Sequence, residues 1–164
     1  MSDAPQKPAV LIADDEKNTR EGLARALRPR YDVEVVESGE RALARLDERE
    51  FDVLLSDLRM PGLDGLALLP RALGRHPRLI CILLTAYGNV ETAVEAMKRG
   101  AYDFLMKPVN LDHLDLLLQR ALRSRDMETE NIQLREQLED KFGLENILGH
   151  SPPMVQLFDV IKQA

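Results

Sequence analysis

Residues 79–85 read LICILLT, an almost uninterrupted apolar run between two polar segments. A run of this length without polar alternation is typical of a strand buried on both faces of a parallel sheet. Residues 9–13, AVLIA, have the same character, and YDVEVV at 31–36, VLLS at 53–56 and DFLM at 103–106 complete a series whose members start 22 to 26 residues apart. That interval accommodates one strand and one helix of about three turns.

Amphipathic helical patterns fill the intervals, each with an apolar stripe whose residues are three and four positions apart. The predicted helices cover residues 18–28, 39–49, 65–73 and 90–99. The stripe of the fourth comprises Val90, Ala93, Val94 and Met97. Five repeats of strand and helix predict an α/β fold, a doubly wound five-stranded parallel sheet with helices on both faces.

A fifth helical pattern runs from Leu111 to about Lys141 without Pro or Gly, and Gly143 is predicted to end it. Its first half is rich in leucines that are predicted to pack on the sheet: Leu111, Leu114, Leu116, Leu117, Leu118 and Leu122.

The second half of this pattern is highly charged. Met127, Asn131, Leu134 and Leu138 follow one another at spacings of 4, 3 and 4 residues, which fits two heptads with a polar residue at one core position. We predict a dimeric coiled coil here, and the alternative is a solvated extension of the helix.

The composition excludes several classes of protein. Lys and Arg number 22 against 28 Asp and Glu, so the net charge of −6 argues against a nucleic-acid-binding module. One Cys, at position 81, and three scattered His argue against a structural zinc site. No apolar run approaches the roughly 18 residues of a membrane span, and the first eight residues lack a signal-peptide core. We therefore expect a cytoplasmic protein without membrane contact.

Chemically active side chains follow the predicted strands. Asp14 and Asp15 follow the first, Asp57 follows the third, Thr85 ends the fourth and Lys107 follows the fifth. Ligands of open α/β sheets bind beyond these carboxyl ends. Clustered carboxylates stay ionised beside a cation, and oxygen ligands without His or Cys favour Mg²⁺. A carboxylate nucleophile beside Mg²⁺, a hydroxyl and an amine suits phosphoryl transfer.

These residues stand in recognisable motifs: DD at 14–15, SDLRMPGLDG at 56–65, LLTAYG at 83–88 and KP at 107–108. With them, the sequence resembles the receiver domain of bacterial two-component response regulators over residues 8–122. The resemblance implies the flavodoxin-like or CheY-like (βα)5 fold, extended here by a long C-terminal helix.

The resemblance also implies a role for each site residue. Asp57 is the implied phosphoacceptor, and Lys107 pairs with the phosphoryl group or with Asp57. Asp14, Asp15 and Asp57 form the implied Mg²⁺ site, with the backbone carbonyl of Arg59 as a further ligand.

A switch is implied by the same resemblance. Thr85 is the hydroxyl that moves toward the phosphoryl group, and Phe104 is the switch aromatic. Tyr102 competes with Phe104 for that role only if the strand is shifted by two residues. A cis peptide is implied before Pro108.

The C-terminal residues resemble a different domain. Residues 147–164, ILGHSPPMVQLFDVIKQA, are similar to the opening of the AAA+ ATPase domain of sigma-54-dependent transcription activators, the NtrC class. No G-x-x-x-x-G-K-[ST] phosphate loop is present. The expected organisation is a receiver domain at 1–122, a helical linker at 123–142 and the truncated start of an ATPase domain at 143–164.

The resemblance implies specific partners. A histidine kinase is the implied donor of the phosphoryl group, whereas the heptad spacing described above predicts a homodimer through the fifth helix and linker. The full-length protein would bind ATP, DNA and sigma-54 RNA polymerase, whereas this fragment would not. We expect no enzymatic activity beyond Mg²⁺-dependent self-phosphorylation and slow self-dephosphorylation.

Two other classes of function remain open from the residues alone. One is a stand-alone receiver that acts as a protein-interaction module. The other is an enzyme on a similar sheet, either a flavin binder or an aspartate-dependent phosphohydrolase. A flavin site would want a hydroxyl- and Gly-rich loop where this chain has DDEKN, and a phosphohydrolase would carry its nucleophile after the first strand.

Overall fold

The computed structural model describes residues 7–86 and 88–148, and within its last helix the side chains up to Glu128 and that of Leu134. The chain divides into two compact units, Met1–Arg123 and Ser124–Ala164. No helix within the described residues is long and apolar enough to cross a membrane.

Strands and helices alternate along the first unit. The strands are β1 Ala9–Ala13, β2 Asp32–Val36, β3 Val53–Asp57, β4 Ile80–Thr85 and β5 Asp103–Met106. The helices are α1 Lys17–Leu27, α2 Gly39–Glu48, α3 Gly65–Arg75, α4 Val90–Lys98 and α5 Leu111–Leu148. Every predicted strand and helix is confirmed, and apart from the end of α5 their limits differ from the prediction by at most two residues.

The predicted end of the last helix is wrong. The α5 helix continues through Gly143 to Leu148, beyond the predicted end near Lys141. A single glycine inside a helix costs only about 1 kcal/mol relative to alanine, so the charged helix-forming residues around it can carry the helix across. The predicted ATPase segment at 143–164 lies outside the described residues from position 149 onward.

The sheet is wholly parallel, with strand order β2-β1-β3-β4-β5. Every residue of β1, β3 and β4 is buried, as their continuous apolar runs predict. One apolar cluster packs α1 and α5 against one face, through residues such as Leu23 and Leu114. A second packs α2, α3 and α4 against the other face, through residues such as Leu46 and Leu68. The sheet is therefore doubly wound.

Helix α4 packs on a different side from the one its apolar stripe suggests. Val90, Val94 and Met97 are 80%, 46% and 49% exposed, and Ala96 is the buried residue of this helix. The small side chain of Ala96 lets the helix approach the sheet, and the larger apolar residues face outward. In α5, Leu111 and Leu116 are likewise about half exposed, contrary to the prediction, whereas Leu114 and Leu118 are fully buried.

Pro70 lies inside α3, where it lacks the N–H that would bond to the Leu66 carbonyl one turn earlier. The Arg99 side chain at the end of α4 supplies this bond: its Nη1 donates to the Leu66 oxygen at 3.0 Å. Its Nε donates to Glu95 Oε1 at 2.8 Å. The guanidinium thus joins α4 to the carbonyl that Pro70 leaves without a helical donor.

We predict that Arg99→Ala lowers the free energy of unfolding by about 1 kcal/mol in the unmodified protein. In a Pro70→Ala background the loss should be smaller, because residue 70 then donates to the Leu66 carbonyl itself. Both backgrounds lose the contact with Glu95, so a double-mutant cycle by chemical denaturation isolates the Leu66 bond. Equal losses in the two backgrounds would contradict this role of Arg99.

Candidate functional site

The site lies where the chain reverses its winding direction across the sheet. Strands β1 and β3 are neighbours, and their carboxyl ends carry Asp14 and Asp57. A crevice between the loops after two such strands is the usual ligand site of a doubly wound sheet.

Asp14 is buried and makes hydrogen bonds through both its carboxylate and its backbone. The residue is only 1% exposed, and its Oδ1 accepts the Glu16 N–H at 2.8 Å. Its Oδ2 accepts from Lys107 Nζ at 3.0 Å, and its own N–H donates to the Val36 oxygen at 3.2 Å. The Asp14 carboxylate therefore closes the turn between β1 and α1 and anchors the lysine after β5.

Asp57 shares the same lysine. Lys107 Nζ lies 3.4 Å from Asp57 Oδ2, and the Asp57 residue is 8% exposed. Carboxylate oxygens of Asp14, Asp15 and Asp57 all lie within 4.8 Å of one another, and Asp15 is exposed to solvent. The structure thus gathers three carboxylates and one ammonium at the carboxyl edge of the sheet.

The pKa values of Asp57 and Lys107 are both raised, but for different reasons. Burial raises the pKa of the Asp57 carboxyl, and the neighbouring positive charge of Lys107 offsets this only in part. Burial alone would lower the pKa of Lys107, but its hydrogen bond to Asp14 and the charges of Asp14 and Asp57 outweigh it, so the pKa of Lys107 is raised. Lys107 accordingly remains a cation at neutral pH.

Thr85 ends β4, and Phe104 lies within the neighbouring strand β5. Thr85 is fully buried at the end of β4, and its carbonyl accepts the Lys107 N–H at 2.8 Å. Phe104 pairs with Leu83 of β4 and packs on the core shared by α2, α3 and α4. Tyr102 precedes β5 and is 39% exposed, whereas Phe104 lies within the strand. The two-residue shift of β5 that would put Tyr102 in the place of Phe104 is therefore absent. The predicted cis peptide between Lys107 and Pro108 is confirmed.

Gly88, three residues after Thr85, lies against the Phe104 ring. A Cβ built on Gly88 would stand 2.7 Å from Phe104 Cε1 and 2.4 Å from Met106 Sδ. The loop backbone at Gly88 is therefore in direct contact with both side chains, which connects the loop after β4 to strand β5.

Comparison with known proteins identifies this arrangement. The family model described as the response regulator receiver domain matches residues 10–137. The chain belongs to this family. The predicted resemblance to receiver domains is thereby confirmed.

The relatives of this receiver domain are larger regulators. The whole chain is 38% identical over 149 residues to regulatory protein AtoC of Escherichia coli (strain K12), an alignment covering 90% of this chain and 32% of AtoC. It is 37% identical to the DNA-binding transcriptional regulator NtrC of the same strain, covering 95% of this chain and 33% of NtrC. It is 39% identical to response regulator protein PilR of Pseudomonas aeruginosa, covering 88% and 31%. The chain spans about a third of the length of these relatives.

Solved structures give the same fold. The chain matches NtrX from Brucella abortus, crystallised in complex with ADP, with a TM-score of 0.74 and 33% identity, over 97% of this chain and 34% of NtrX. It matches the beryllofluoride-activated NtrC4 receiver domain dimer with a TM-score of 0.68 and 30% identity, over 71% and 98%. A CheY-like receiver from Methanospirillum hungatei JF-1 gives 0.72 and 27%, over 75% and 99%. The predicted CheY-like fold is confirmed.

Two residues that sequence reasoning missed hold the site in place. Arg20 of α1 donates from Nη1 to the Asp14 carbonyl at 2.9 Å. Gly65 starts α3 so close to β3 that a Cβ there would stand 2.5 Å from the Asp57 carbonyl and 3.0 Å from Leu58 Cα. The Asp64-Gly65 pair at the start of an apolar helix could have indicated the role of Gly65. No sequence pattern indicates the hydrogen bond between Arg20 and the Asp14 carbonyl.

We predict that Gly65→Ala destabilises the domain by about 2 kcal/mol, because the obstructing atoms are backbone and cannot rotate away. Gly74 in the same helix is the matched control, since nothing lies within 4 Å of a Cβ built there. Gly74→Ala should stabilise the helix by up to about 1 kcal/mol. Thermal unfolding of the two variants tests this, and changes of the same sign would refute it.

Proposed function

We propose that this receiver domain is a phosphorylation-controlled switch in which Asp57 accepts a phosphoryl group from a histidine kinase. The observation that carries the proposal is the shared lysine: Lys107 Nζ contacts Asp14 at 3.0 Å and Asp57 at 3.4 Å, beside a cluster of three carboxylates. A cation fixed between two carboxylates is suited to receive an incoming phosphoryl group with its negative oxygens.

The chemistry of the site fits Mg²⁺. The donors of Asp14, Asp15 and Asp57 are carboxylate oxygens, which Mg²⁺ prefers, and they lie within 4.8 Å of one another. Ligands of one Mg²⁺, each about 2.1 Å from the ion, lie about 3 to 4 Å apart, so small side-chain rotations suffice to share an ion. The Arg59 carbonyl, two residues after Asp57, is the proposed fourth protein ligand. Bound Mg²⁺ would neutralise charge on the phosphoryl oxygens.

The transfer is a displacement at phosphorus. A carboxylate oxygen of Asp57 forms the new P–O bond as the P–N bond to the kinase histidine breaks, and the leaving nitrogen keeps the electron pair of that bond and is free to take up a proton. The ammonium of Lys107 is positioned to contact a phosphoryl oxygen once Asp57 is modified. We propose no further enzymatic activity besides slow loss of the phosphoryl group to water.

The switch that reports phosphorylation is proposed to comprise Thr85 and Phe104. The buried Thr85 hydroxyl would turn toward the new phosphoryl oxygens, and Phe104 would follow because the loop after β4 lies directly on its ring. The surface of α4, β5 and α5 would then change. Val90, Val94, Met97 and Met106 already expose apolar area there, which is available to a partner.

The output is proposed to be a sigma-54-dependent transcription activator of the NtrC class. The alignment with NtrC covers 95% of this chain, so it extends into the 143–164 segment, which resembles the start of an ATPase domain. ATP, DNA and sigma-54 RNA polymerase would be partners of that larger protein. Because the longer relatives align with the 143–164 segment as well, a transcription activator is favoured over a stand-alone receiver. Membership of the receiver family argues against the flavin binder and the phosphohydrolase.

We predict that the protein, incubated with Mg²⁺ and a small phosphodonor such as acetyl phosphate, gains the mass of one phosphoryl group. Asp57→Asn should abolish this gain, since the amide keeps the shape of the side chain but is no nucleophile. Asp126→Asn, at an exposed carboxylate of α5, is the control and should label normally. Intact-mass spectrometry measures all three, and persistent labelling of the Asp57 variant would refute the assignment.

The helical linker is proposed to form a homodimeric coiled coil. Helix α5 includes all four predicted core positions, and Met127 and Leu134 are 57% and 55% exposed in the single chain. Asn131 and Leu138 are core positions whose side chains lie outside the described part of the helix. With these spacings Asn131 occupies an a position of the heptad, and a single Asn at an a position specifies register and oligomeric state, which favours a two-stranded coiled coil.

We predict that Leu134→Glu converts the protein from dimer to monomer, because it places a charge in the proposed apolar seam. Gln133→Glu adds the same charge one residue away, at a position that the heptad spacing directs outward, and should leave the dimer intact. Sedimentation equilibrium of the full chain distinguishes the two variants. Identical behaviour of both, or a monomeric unmodified protein, would remove the coiled coil.

A further inference from the structure

Arg20 occupies an unfavourable place on α1 for a stabilising role in the helix. It lies in the first turn, where its N–H bonds to the Glu16 carbonyl at 3.0 Å. The positive end of the helix dipole is located there, and the first turn itself contains no acidic residue, although Glu16 is the N-cap residue. A partly buried cation at this end of a helix is better explained by what its side chain contacts.

The Arg20 guanidinium reaches back past the start of the helix to the Asp14 backbone. Its Nη1 donates to the Asp14 carbonyl oxygen at 2.9 Å. This is the direction in which helical side chains lean. The same carbonyl belongs to the peptide unit that connects Asp14 to Asp15, so Arg20 holds the plane of that peptide.

The three carboxylates of the site differ in how they are held. Asp14 accepts from Glu16 and Lys107, and Asp57 contacts Lys107. The Asp15 carboxylate, by contrast, has no hydrogen-bond or ion-pair partner among the residues that the structure describes. Its direction therefore depends on its backbone, which begins at the peptide that Arg20 holds.

We propose that Arg20 is a positioning residue for Asp15: by fixing the Asp14–Asp15 peptide, it aims the otherwise unsupported Asp15 carboxylate at the cation site. The inference rests on the proposed Mg²⁺-dependent function and adds a residue that acts through another. Partners that orient a metal ligand without touching the metal typically contribute a factor of about 10 to 100 in affinity.

A purely structural role for the same hydrogen bond makes a different prediction. If Arg20 only ties the β1–α1 loop to α1, its loss lowers thermal stability and leaves Mg²⁺ affinity unchanged. If Arg20 aims Asp15, its loss weakens Mg²⁺ binding and raises the Mg²⁺ concentration needed for half-maximal phosphorylation. The phosphorylation rate at saturating Mg²⁺ stays near that of the unmodified protein, because Asp57 and Lys107 are untouched.

The experiment compares Arg20→Ala and Arg20→Lys with Arg25→Ala, which removes the same charge from an exposed position of the same helix. Calorimetry measures the Mg²⁺ dissociation constant, and intact-mass kinetics with acetyl phosphate measure phosphorylation across a Mg²⁺ series. We expect roughly tenfold weaker Mg²⁺ binding for Arg20→Ala, partial recovery for Arg20→Lys, which keeps the charge and one donor, and no change for Arg25→Ala.

Each outcome bears on a separate conclusion. Equal Mg²⁺ affinity in the Arg20→Ala and Arg25→Ala variants would overturn the inference while leaving the proposed function intact. Failure of the unmodified protein to bind Mg²⁺ or to be phosphorylated would overturn both. If Arg20→Ala does not fold, Arg20→Met, which keeps the aliphatic part of the side chain but has no hydrogen-bond donor, takes its place in the comparison, and unchanged Mg²⁺ affinity in that folded variant would likewise overturn the inference.

Discussion

The ion pair between Lys107 and the buried Asp14 is the interaction on which the site depends. Asp14 is 1% exposed, and a carboxylate removed from water so completely is tolerated only with a charged or hydrogen-bonding partner. Lys107 follows β5 and Asp14 follows β1, two strands that the sheet order separates by β3 and β4. The pair therefore connects the carboxyl ends of β1 and β5, and Asp57, at the end of the intervening strand β3, lies 3.4 Å from the Lys107 Nζ.

The strand pattern and the site were predictable for one shared reason. Continuous apolar runs such as LICILLT predict buried parallel strands, and the carboxyl ends of parallel strands meet at one edge. Asp14, Asp57, Thr85 and Lys107 are each within two residues of such an end, so their meeting follows from the strand assignments alone. The roles proposed for them rest on the family resemblance, because proximity alone does not distinguish a phosphoacceptor from a metal ligand.

Other features were beyond the sequence because they depend on contacts without a periodic pattern. Arg20 and Arg99 both donate to backbone carbonyls, and any residue can offer a carbonyl, so no sequence motif marks either bond. Glycine commonly ends helices, which is why Gly143 was predicted to end α5. The free-energy cost of one glycine inside a helix is small, however, and the surrounding helix-forming residues outweigh it. The outward stripe of α4 was misleading because small residues such as Ala96, not the large ones, make its closest approach to the core.

That packing of α4 bears on how a local change at Asp57 could matter elsewhere. A helix with a single buried residue is held by few apolar contacts, and elements with little buried area are the ones that shift at low free-energy cost. Its last residues are joined to α3 through Arg99, while the loop leading into it rests on Phe104 and Met106 at Gly88. The strand immediately before that loop ends in Thr85. The weakly packed helix α4 therefore follows, through this loop, the strand that ends in Thr85, one of the two residues of the proposed switch. A small rearrangement at Thr85 or Phe104 would alter the exposed apolar face of α4.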